Sequence, residues 1–304
     1  MNYQQVIESV FEAVAKENLR GKLADYIPEL ARVNHELFGV CLVDRQGNTY
    51  QYGDSQTAFS IQSISKAHTL TMVYSDLAAD LWKRVNVEPS GNPFNNLAQL
   101  EYENGIPRNP FINSGALVTT DALMSMHAEP KEAIHQFIKG MTGGEDVSAN
   151  KAVQESELEC ADRNRAVAHL LKSYNNLHND VEELMEVYTY HCALEMNCEQ
   201  LAKSFLYLAN HGHCIYTNRQ VLDRGLTKRI NALMLTCGFY DEAGEFAFKV
   251  GLAGKSGVGG GVIAVLPGEF SIAVYSPELN EKGNPVKALR FLELLTTDMG
   301  ISLF

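Results

Sequence analysis

The sequence predicts an α+β fold in which one antiparallel sheet is built from both ends of the chain. Strand-like segments occur early, at residues 38–43 and 49–52, and again late, at residues 245–250, 261–266 and 270–275. Residues 114–240 show almost only helical periodicity. Strands at both ends with helices between them imply a sheet with flanking helices and a helical insertion. We therefore expect a single unit of two lobes, a sheet lobe from residues 1–62 and 240–304 and a mainly helical lobe from residues 63–239.

The individual elements follow from the period of the apolar residues. An amphipathic helix is predicted at residues 2–18, followed by a loop at residues 21–28 that contains Tyr26. The early strands form a hairpin through Asp44–Asn48, and the late strands are separated by Gly257–Gly261 and by Pro267–Glu269. A final helix is predicted at residues 285–298. The helices predicted inside the insertion are 115–127, 130–140, 155–173, 180–196, 198–211 and 219–236.

Composition excludes several classes of protein. The chain has 304 residues, of which 45% are hydrophobic, and a net charge of -12. It has no basic run, so we expect no nucleic-acid partner. No apolar run approaches the ~20 residues of a membrane span, and the N-terminus lacks the basic and apolar regions of a signal peptide. We therefore expect a cytoplasmic protein without a membrane partner, and we expect the six cysteines to be reduced, buried thiols (Cys41, Cys160, Cys192, Cys198, Cys214 and Cys237).

A Ser-x-x-Lys motif opens the helix that follows the first hairpin. Leu70, Val73, Tyr74, Leu77, Ala78 and Leu81 form one apolar stripe, and both Lys66 and Ser63 extend that stripe backwards toward the start of the helix. A lysine on the buried face loses its water, which favours its neutral form. Such a lysine, one turn from a serine hydroxyl, is a base beside a nucleophile, and the first turn of a helix can hold an oxyanion.

The same two residues also have ordinary interpretations. Ser63 could be a helix N-cap, and Lys66 could extend its ammonium group to water. A second copy of the motif, Ser148–Lys151, follows a glycine-rich segment and is flanked by polar residues, so we interpret it as a loop. The first copy differs because it opens a long apolar helix, which is the context that the chemistry needs.

Two further segments are candidates for a site. Residues 82–112 are rich in Asn, Pro and Gly and end at Asn113, whose side chain could place a donor and an acceptor on a ligand or form a turn before the next helix. Gly254-Lys255-Ser256 lacks the spacing of a phosphate-binding loop, because Lys249 stands where that motif needs glycine. We interpret Lys255–Gly257 as part of a strand beside an active site, and Gly257–Gly261 as backbone that can approach a ligand or simply form a hairpin.

Four long motifs together resemble one known family. They are Phe59-Ser-Ile-Gln-Ser-Ile-Ser-Lys66, Gly105-Ile-Pro-Arg-Asn-Pro-Phe-Ile-Asn-Ser-Gly-Ala116, Cys237-Gly-Phe-Tyr-Asp241 and Gly254-Lys-Ser-Gly-Val-Gly-Gly-Gly261. In these motifs the chain resembles the bacterial glutaminases of the serine β-lactamase-like fold, and the resemblance runs nearly from end to end. It implies hydrolysis of L-glutamine to L-glutamate and ammonia, without a cofactor or metal, by a homo-oligomer such as a tetramer or dimer.

The resemblance also implies a role for each matching residue. Ser63 matches the nucleophile, Lys66 its base, and Tyr188 and Tyr240 the tyrosines of the active site. Val258 matches the residue whose backbone N–H joins that of Ser63 in the oxyanion hole. The residues that match the pocket for the amino-acid head group are Tyr26, Asn113, Glu157 and Asn164.

Other interpretations of the chain stay open at this point. A hydrolase or peptidase of the penicillin-binding type would share the serine and lysine, although the Ser-Asp-Asn motif of β-lactamases is absent from the sequence. A catalytically inactive binding protein of the same fold is the second alternative. A metal site is a third, weaker alternative. The evidence for it is weak because helical Cys and His at the available spacings do not share a face. The residues concerned are His191, Cys192, Cys198, His211, His213 and Cys214.

Overall fold

A computed structural model describes residues 2–91 and 97–304 of the chain. It confirms the α+β class and the antiparallel sheet built from both chain ends. The strands of that sheet are β1 (Gly39–Asp44), β2 (Thr49–Gly53), β7 (Ala253–Ser256), β8 (Gly261–Leu266) and β9 (Phe270–Tyr275). Their order across the sheet is β2-β1-β9-β8-β7, so an early hairpin and a late meander join where β1 pairs with β9.

The remaining elements are mostly helices. Short two-residue strands also form two small ladders: β3 (Phe59–Ser60) with β4 (Glu195–Met196), and β5 (His213–Cys214) with β6 (Arg219–Gln220). Single 3₁₀ segments occur at Leu30–Arg32, Gln62–Ile64 and Ala78–Lys83. The α-helices of the described residues are α1 (Tyr3–Lys16), α2 (Ser65–Leu77), α3 (Leu97–Tyr102), α4 (Asn113–Met126), α5 (Pro130–Met141), α6 (Lys151–Glu159), α7 (Asp162–Ser173), α8 (Val181–Cys192), α9 (Cys198–Ala209), α10 (Arg224–Cys237), α11 (Ala243–Lys249) and α12 (Val286–Met299).

The central sheet is buried on both faces. Alternate residues of β1, such as Val40 and Leu42, point to a core that α1 and α12 cover. The residues between them, such as Cys41 and Val43, belong to the core on the side of α9 and the helical insertion. Because neighbouring side chains of a strand point to opposite faces, a sheet covered on both sides needs nearly continuous apolar strands.

One predicted strand is wrong. Residues 245–250 lie mostly in helix α11, where Phe246 and Val250 are each 4% exposed while Phe248 is 89% exposed. The alternating apolar residues fit a strand as well as a helix, but positions 246 and 250 lie one helical turn apart and share the buried face. The strand that pairs with β8 is instead Ala253–Ser256, which overlaps the strand expected at Lys255–Gly257.

Several predicted helices differ in their limits. The predicted helix 155–173 is two helices, α6 and α7, separated at Cys160–Ala161. The stripe of α2 ends earlier than predicted, because Ala78 has a φ of +45° and is exposed while a 3₁₀ turn carries Leu81 back into the core. The predicted 180–196 ends at Cys192 and the predicted 219–236 begins at Arg224, since short strands occupy their outer ends. The other predicted helices and strands are confirmed within about two residues.

Three smaller predictions also need comment. The segment 82–112 is mainly irregular but contains α3, and its residues 92–96 lie outside the described part. Ser148–Asn150 is loop, as predicted, while Lys151 begins α6 behind the N-cap Asn150. The six cysteines are free thiols and five are buried, but Cys160 is exposed because it lies at the break between α6 and α7.

Candidate active site

Ser63 lies in the tight turn that connects β3 to α2. The turn is the 3₁₀ segment Gln62–Ile64, and Gln62 has a φ of +48°, a conformation that costs energy for any residue but glycine. Strained backbone beside a functional side chain is a common way of presenting it to a pocket. Ser63 is half-buried and borders such a pocket.

The glycine-rich segment after β7 packs directly against this turn. A Cβ atom on Gly257 would lie 2.4 Å from the carbonyl oxygen of Ile61, and one on Gly259 would lie 2.0 Å from that of Ser60. Only glycine permits such an approach of two backbones. The two glycines therefore place Val258 beside Ser63, and the Val258 side chain lines the same pocket. Two motifs that are nearly 200 residues apart in sequence meet here.

Lys66 begins the buried face of α2, one turn after Ser63, and is 1% exposed. Its Nζ atom donates to Asn113 Oδ1 at 2.7 Å and to the carbonyl oxygen of Phe111 at 3.3 Å. Within residues 2–91 and 97–304 it has no salt bridge, so no carboxylate compensates its charge directly. Burial lowers the pKa of Lys66 from 10.5 to about 8, although the charges of Cys192 and Glu157 oppose the shift. A lysine of this kind is partly neutral near pH 7 and can accept a proton.

A second buried lysine lies close by. Lys255 is fully buried on β7, donates to the carbonyl oxygen of Ser256 at 2.7 Å, and has its Nζ atom 4.7 Å from the centre of the Tyr240 ring. Burial, and then repulsion from Lys66, lower the pKa of Lys255 well below its usual range. The shift at Lys66 itself is caused mainly by burial.

Glu157, Asn164 and Asn113 form a polar wall of the pocket. Glu157 comes from α6 and accepts from Gln62 Nε2 at 3.2 Å. Burial raises the pKa of Glu157 to about 7, while the hydrogen bond from Gln62 and the charge of Lys66 lower it. Asn113, at the start of α4, donates to Asn164 Oδ1 at 3.0 Å while its own oxygen accepts from Lys66. The lysine and the polar wall are thus directly connected.

Two tyrosines border the pocket beside Ser63. Tyr188 of α8 is buried, and its ring centre lies 5.9 Å from Lys66 Nζ. Burial raises its pKa well above the usual range, and nearby acidic groups add to this. Burial also raises the pKa of Tyr240 to about 12, although side-chain hydrogen bonds from Ser63 and Ser256 lower it. Both hydroxyls are therefore protonated at neutral pH.

The structure brings the predicted site residues together. One pocket is lined by eight of the nine, and Lys66 lies beneath it through its bond to Asn113. Tyr26 is 54% exposed, so it forms part of the rim. The eight lining residues are Tyr26, Ser63, Asn113, Glu157, Asn164, Tyr188, Tyr240 and Val258.

Comparison with known proteins identifies the family. The family model described as "Glutaminase" matches residues 21–304. The chain belongs to the glutaminase family. A "Glutaminase" of Christiangramia forsetii is 47% identical over 304 residues, covering 100% of both chains.

Solved structures of glutaminases have the same fold. A "probable glutaminase ybaS" superposes with a TM-score of 0.94 at 36% identity, covering 99% of this chain and 97% of that one. A probable glutaminase from Bacillus subtilis in complex with 6-diazo-5-oxo-L-norleucine superposes with a TM-score of 0.86 at 32% identity, covering 99% of this chain and 95% of that one. The serine β-lactamase-like fold expected from the motifs is thereby confirmed.

Sequence reasoning missed four residues that line the pocket of this glutaminase: Gln62, Ile27, Cys160 and Ala161. Gln62 matters most, because it contacts both Glu157 and Ser60. It lies inside a recognised motif, but a glutamine beside a serine carries no pattern of its own. The other three lie on loops or at the break between α6 and α7, which no periodicity predicts.

No metal centre is visible in the part of the chain that the structure describes: no three His, Cys, Asp or Glu side chains there are grouped to hold an ion. Of the weak candidates, His191 contacts the hydroxyls of Ser65 and Thr120 at 2.7 and 3.2 Å, and burial lowers its pKa to about 3. No helix in the described ranges is long and apolar enough to span a membrane.

Proposed function

We propose that this protein hydrolyses L-glutamine to L-glutamate and ammonia through an acyl-enzyme, with Ser63 as nucleophile and Lys66 as general base. The observation that carries the proposal is the buried Lys66, which has no salt-bridge partner among the described residues and lies one turn from a serine that borders a polar pocket. Family membership supports the reaction, because glutaminases act on the side-chain amide of glutamine.

The charges of the pocket fit the head group of an amino acid. Glutamine carries an ammonium and a carboxylate on Cα, and its side chain ends in a neutral amide. Glu157 offers a carboxylate whose pKa of about 7 favours ionisation when an ammonium group approaches. Asn113, Asn164 and Tyr26 offer donors for the carboxylate. This arrangement leaves the amide to extend toward Ser63.

Acylation then proceeds as follows. Neutral Lys66 accepts the proton of Ser63 while the Ser63 oxygen forms a bond to the amide carbon. The backbone N–H groups of Ser63 and Val258 stabilise the oxyanion of the tetrahedral intermediate. The C–N bond breaks, and the nitrogen leaves as ammonia after taking up a proton. Tyr188 and Tyr240 both line the pocket beside Ser63 and are protonated at neutral pH, so either can serve as the donor.

Deacylation uses the same groups in reverse. Water gives a proton to the tyrosinate that the departure of ammonia leaves and adds its oxygen to the ester carbon, after which the Ser63 oxygen leaves with the proton held by Lys66 and glutamate is released. The protein groups return to their initial protonation states, so the cycle consumes glutamine and water only.

Replacement of the nucleophile tests this mechanism. We expect Ser63→Ala to reduce ammonia release from glutamine by several orders of magnitude while the thermal melting curve is unchanged. Ser148→Ala is the matched control, since Ser148 belongs to the second Ser-x-x-Lys and is exposed. Wild-type turnover in the folded Ser63→Ala variant would refute the nucleophile. Two other substrates are assayed in parallel. Ammonia release from asparagine tests for an asparaginase activity, and turnover of a chromogenic cephalosporin tests for a hydrolase of the penicillin-binding type.

The proposal extends to the organisation of the chain. We propose one catalytic unit of two lobes, residues 1–62 with 240–304 and residues 63–239, since Val258 and Glu157 reach the pocket from opposite lobes. We also propose a cytoplasmic homo-oligomer, a dimer or tetramer. The six free thiols, five of them buried, support a reducing compartment. Light scattering coupled to size-exclusion chromatography measures the assembly, and a monomeric mass would refute it.

A further inference from the structure

The charge of Glu157 is linked to the direction in which the Gln62 amide points. Gln62 Nε2 donates to Glu157 Oε2 at 3.2 Å and to Ser60 Oγ at 3.0 Å, so both hydrogens of the amide nitrogen are used. An ionised carboxylate can only accept such a hydrogen, whereas a protonated one can donate to an amide oxygen. If the Gln62 amide turned over, its oxygen would therefore favour the uncharged form of Glu157. Burial raises the pKa of Glu157 to about 7, so both forms are accessible near neutral pH.

Ser60 determines which way this amide points. Ser60 lies on β3, is 5% exposed, and donates its hydroxyl proton to the carbonyl oxygen of Cys192 at 3.0 Å. That carbonyl belongs to the last residue of α8, and the final carbonyls of a helix have no partner within the helix. Because its only proton is used there, Ser60 can only accept from Gln62. An amide oxygen turned toward Ser60 would place two acceptors against each other and lose a buried hydrogen bond.

We propose that Ser60 is a positioning residue, which holds the nitrogen of the Gln62 amide toward Glu157 and so keeps Glu157 in the charged form that binds the ammonium group of glutamine. This inference rests on the proposed role of Glu157 in binding that group. Gln62 and Glu157 both line the pocket, and Ser60 acts on it through the Gln62 side chain. Loss of the Ser60 hydroxyl should therefore weaken substrate binding only where Glu157 titrates.

The pH dependence of KM for glutamine tests the proposal. In Ser60→Ala, a small change that should fold, the amide can turn over. We expect the midpoint below which KM rises to move from about pH 7 to about pH 8. Relative to the wild type, this shift raises KM about fivefold at pH 7 and by only about a tenth at pH 9. A merely structural role would raise KM equally at both pH values; that result, or an unchanged midpoint, would overturn the proposal.

Other titratable groups also act on Glu157 from the elements around it. One of them, Lys66, has a pKa of about 8 and loses its charge over the same pH range. Every variant keeps these groups, so the ratio of KM between a variant and the wild type at one pH reports on the Gln62 amide. The groups are Lys66 from α2, Tyr188 and Cys192 from α8, Tyr26 from the loop after α1, and Tyr240 from the turn before α11.

A second buried serine provides the matched control. Ser271 of β9 is fully buried, and its hydroxyl donates to the carbonyl oxygen of Ala202 at 2.6 Å. Ser271→Ala thus removes the same kind of hydrogen bond from another part of the core. We expect it to lower the melting temperature and to leave the KM profile unchanged. An equal shift of the midpoint in Ser271→Ala would show a general loosening of the fold and would overturn the proposal.

Two further variants complete the test. Gln62→Met removes the amide, so adding Ser60→Ala to it should move the midpoint no further; a second shift of the same size would show that Ser60 acts by another route and would overturn the proposal. If Glu157→Gln raises KM while Ser60→Ala leaves the midpoint in place, the positioning role fails and the function of Glu157 stands. If Glu157→Gln leaves KM unchanged, the proposed role of Glu157 itself is wrong.

Discussion

The pH dependence of turnover depends on Lys66 and can be calculated from its environment. The ammonium group is almost fully buried, and among the described residues it donates to neutral oxygens of Asn113 and Phe111. Burial therefore lowers the pKa of Lys66 to about 8. Since only the neutral amine can accept the proton of Ser63, turnover should rise with pH through this value.

The size of the effect follows from the neutral fraction. With a pKa of about 8, roughly a tenth of Lys66 is neutral at pH 7 and about nine-tenths at pH 9, so kcat should rise about tenfold. A lysine with the ordinary pKa would be only about 0.03% neutral at pH 7. The buried environment thus increases the active form about 300-fold near neutrality. Glu157, whose pKa is about 7, should act mainly on KM, so kcat at saturating glutamine isolates Lys66.

The assay is ammonia release at saturating glutamine from pH 6 to 9, for the wild type and two variants. Lys66→Arg should retain less than about 1% of kcat at every pH, because a guanidinium stays protonated. Lys151→Arg, in the exposed second copy of the motif, should match the wild type. A kcat that is flat between pH 7 and 9, or substantial activity of Lys66→Arg with an unaltered profile, would refute the reasoning and favour a tyrosine as the base.

Three other predictions concern the buried titratable side chains Glu157, Lys66 and His68. Glu157→Gln should raise KM for glutamine more than tenfold, because a charge-assisted hydrogen bond to the ammonium group is worth about 1.5–3 kcal/mol. Glu155→Gln, at an exposed position, is the control and should leave KM unchanged. An unchanged KM in Glu157→Gln would remove Glu157 from the binding site. Lys66→Met should raise the free energy of unfolding by about 3 kcal/mol at pH 7, because the fold no longer buries an amine whose pKa is lowered to about 8. This gain should decline between pH 8 and 10.5, where the stability of the wild type rises with the pH. Equal melting temperatures of the variant and the wild type at pH 7 would contradict the prediction. Burial lowers the pKa of His68 to about 3, so the unfolded chain binds a proton below pH 6.5 that the fold cannot bind, and stability falls with the pH. His68→Phe keeps a ring against Phe205 and should remove about 3 kcal/mol of the loss in unfolding free energy between pH 7 and pH 4. His169→Phe, at an exposed position, should leave that loss unchanged. Identical acid denaturation curves for His68→Phe and the wild type would refute the prediction.

The periodicity of the sequence determined most of the architecture. The nearly continuous apolar strands at residues 261–266 and 270–275 are buried on both faces, and the predicted sheet with flanking helices is confirmed. The prediction failed where two periods fit the same residues, as at 245–250, whereas the strand expected around Lys255–Gly257 is present as Ala253–Ser256. Tertiary contacts determine the structure of both segments. Residues 253–256 pair with β8, whereas residues 245–250 form a helix that stacks Phe246 against Phe239.

The site divides in the same way. Motifs, the buried stripe of α2 and the family resemblance predicted one site from Ser63, Lys66 and seven other residues, and eight of the nine line one pocket. Only the tertiary structure brought Val258 against Ser63, because that contact depends on two glycines meeting the backbone of another segment. It alone added Gln62 to the pocket, where Gln62 contacts Glu157. The local sequence determines helix and strand propensity and the pattern of apolar residues. The pKa values and hydrogen-bond partners of the site depend instead on which distant segments fold together and bury its groups away from water.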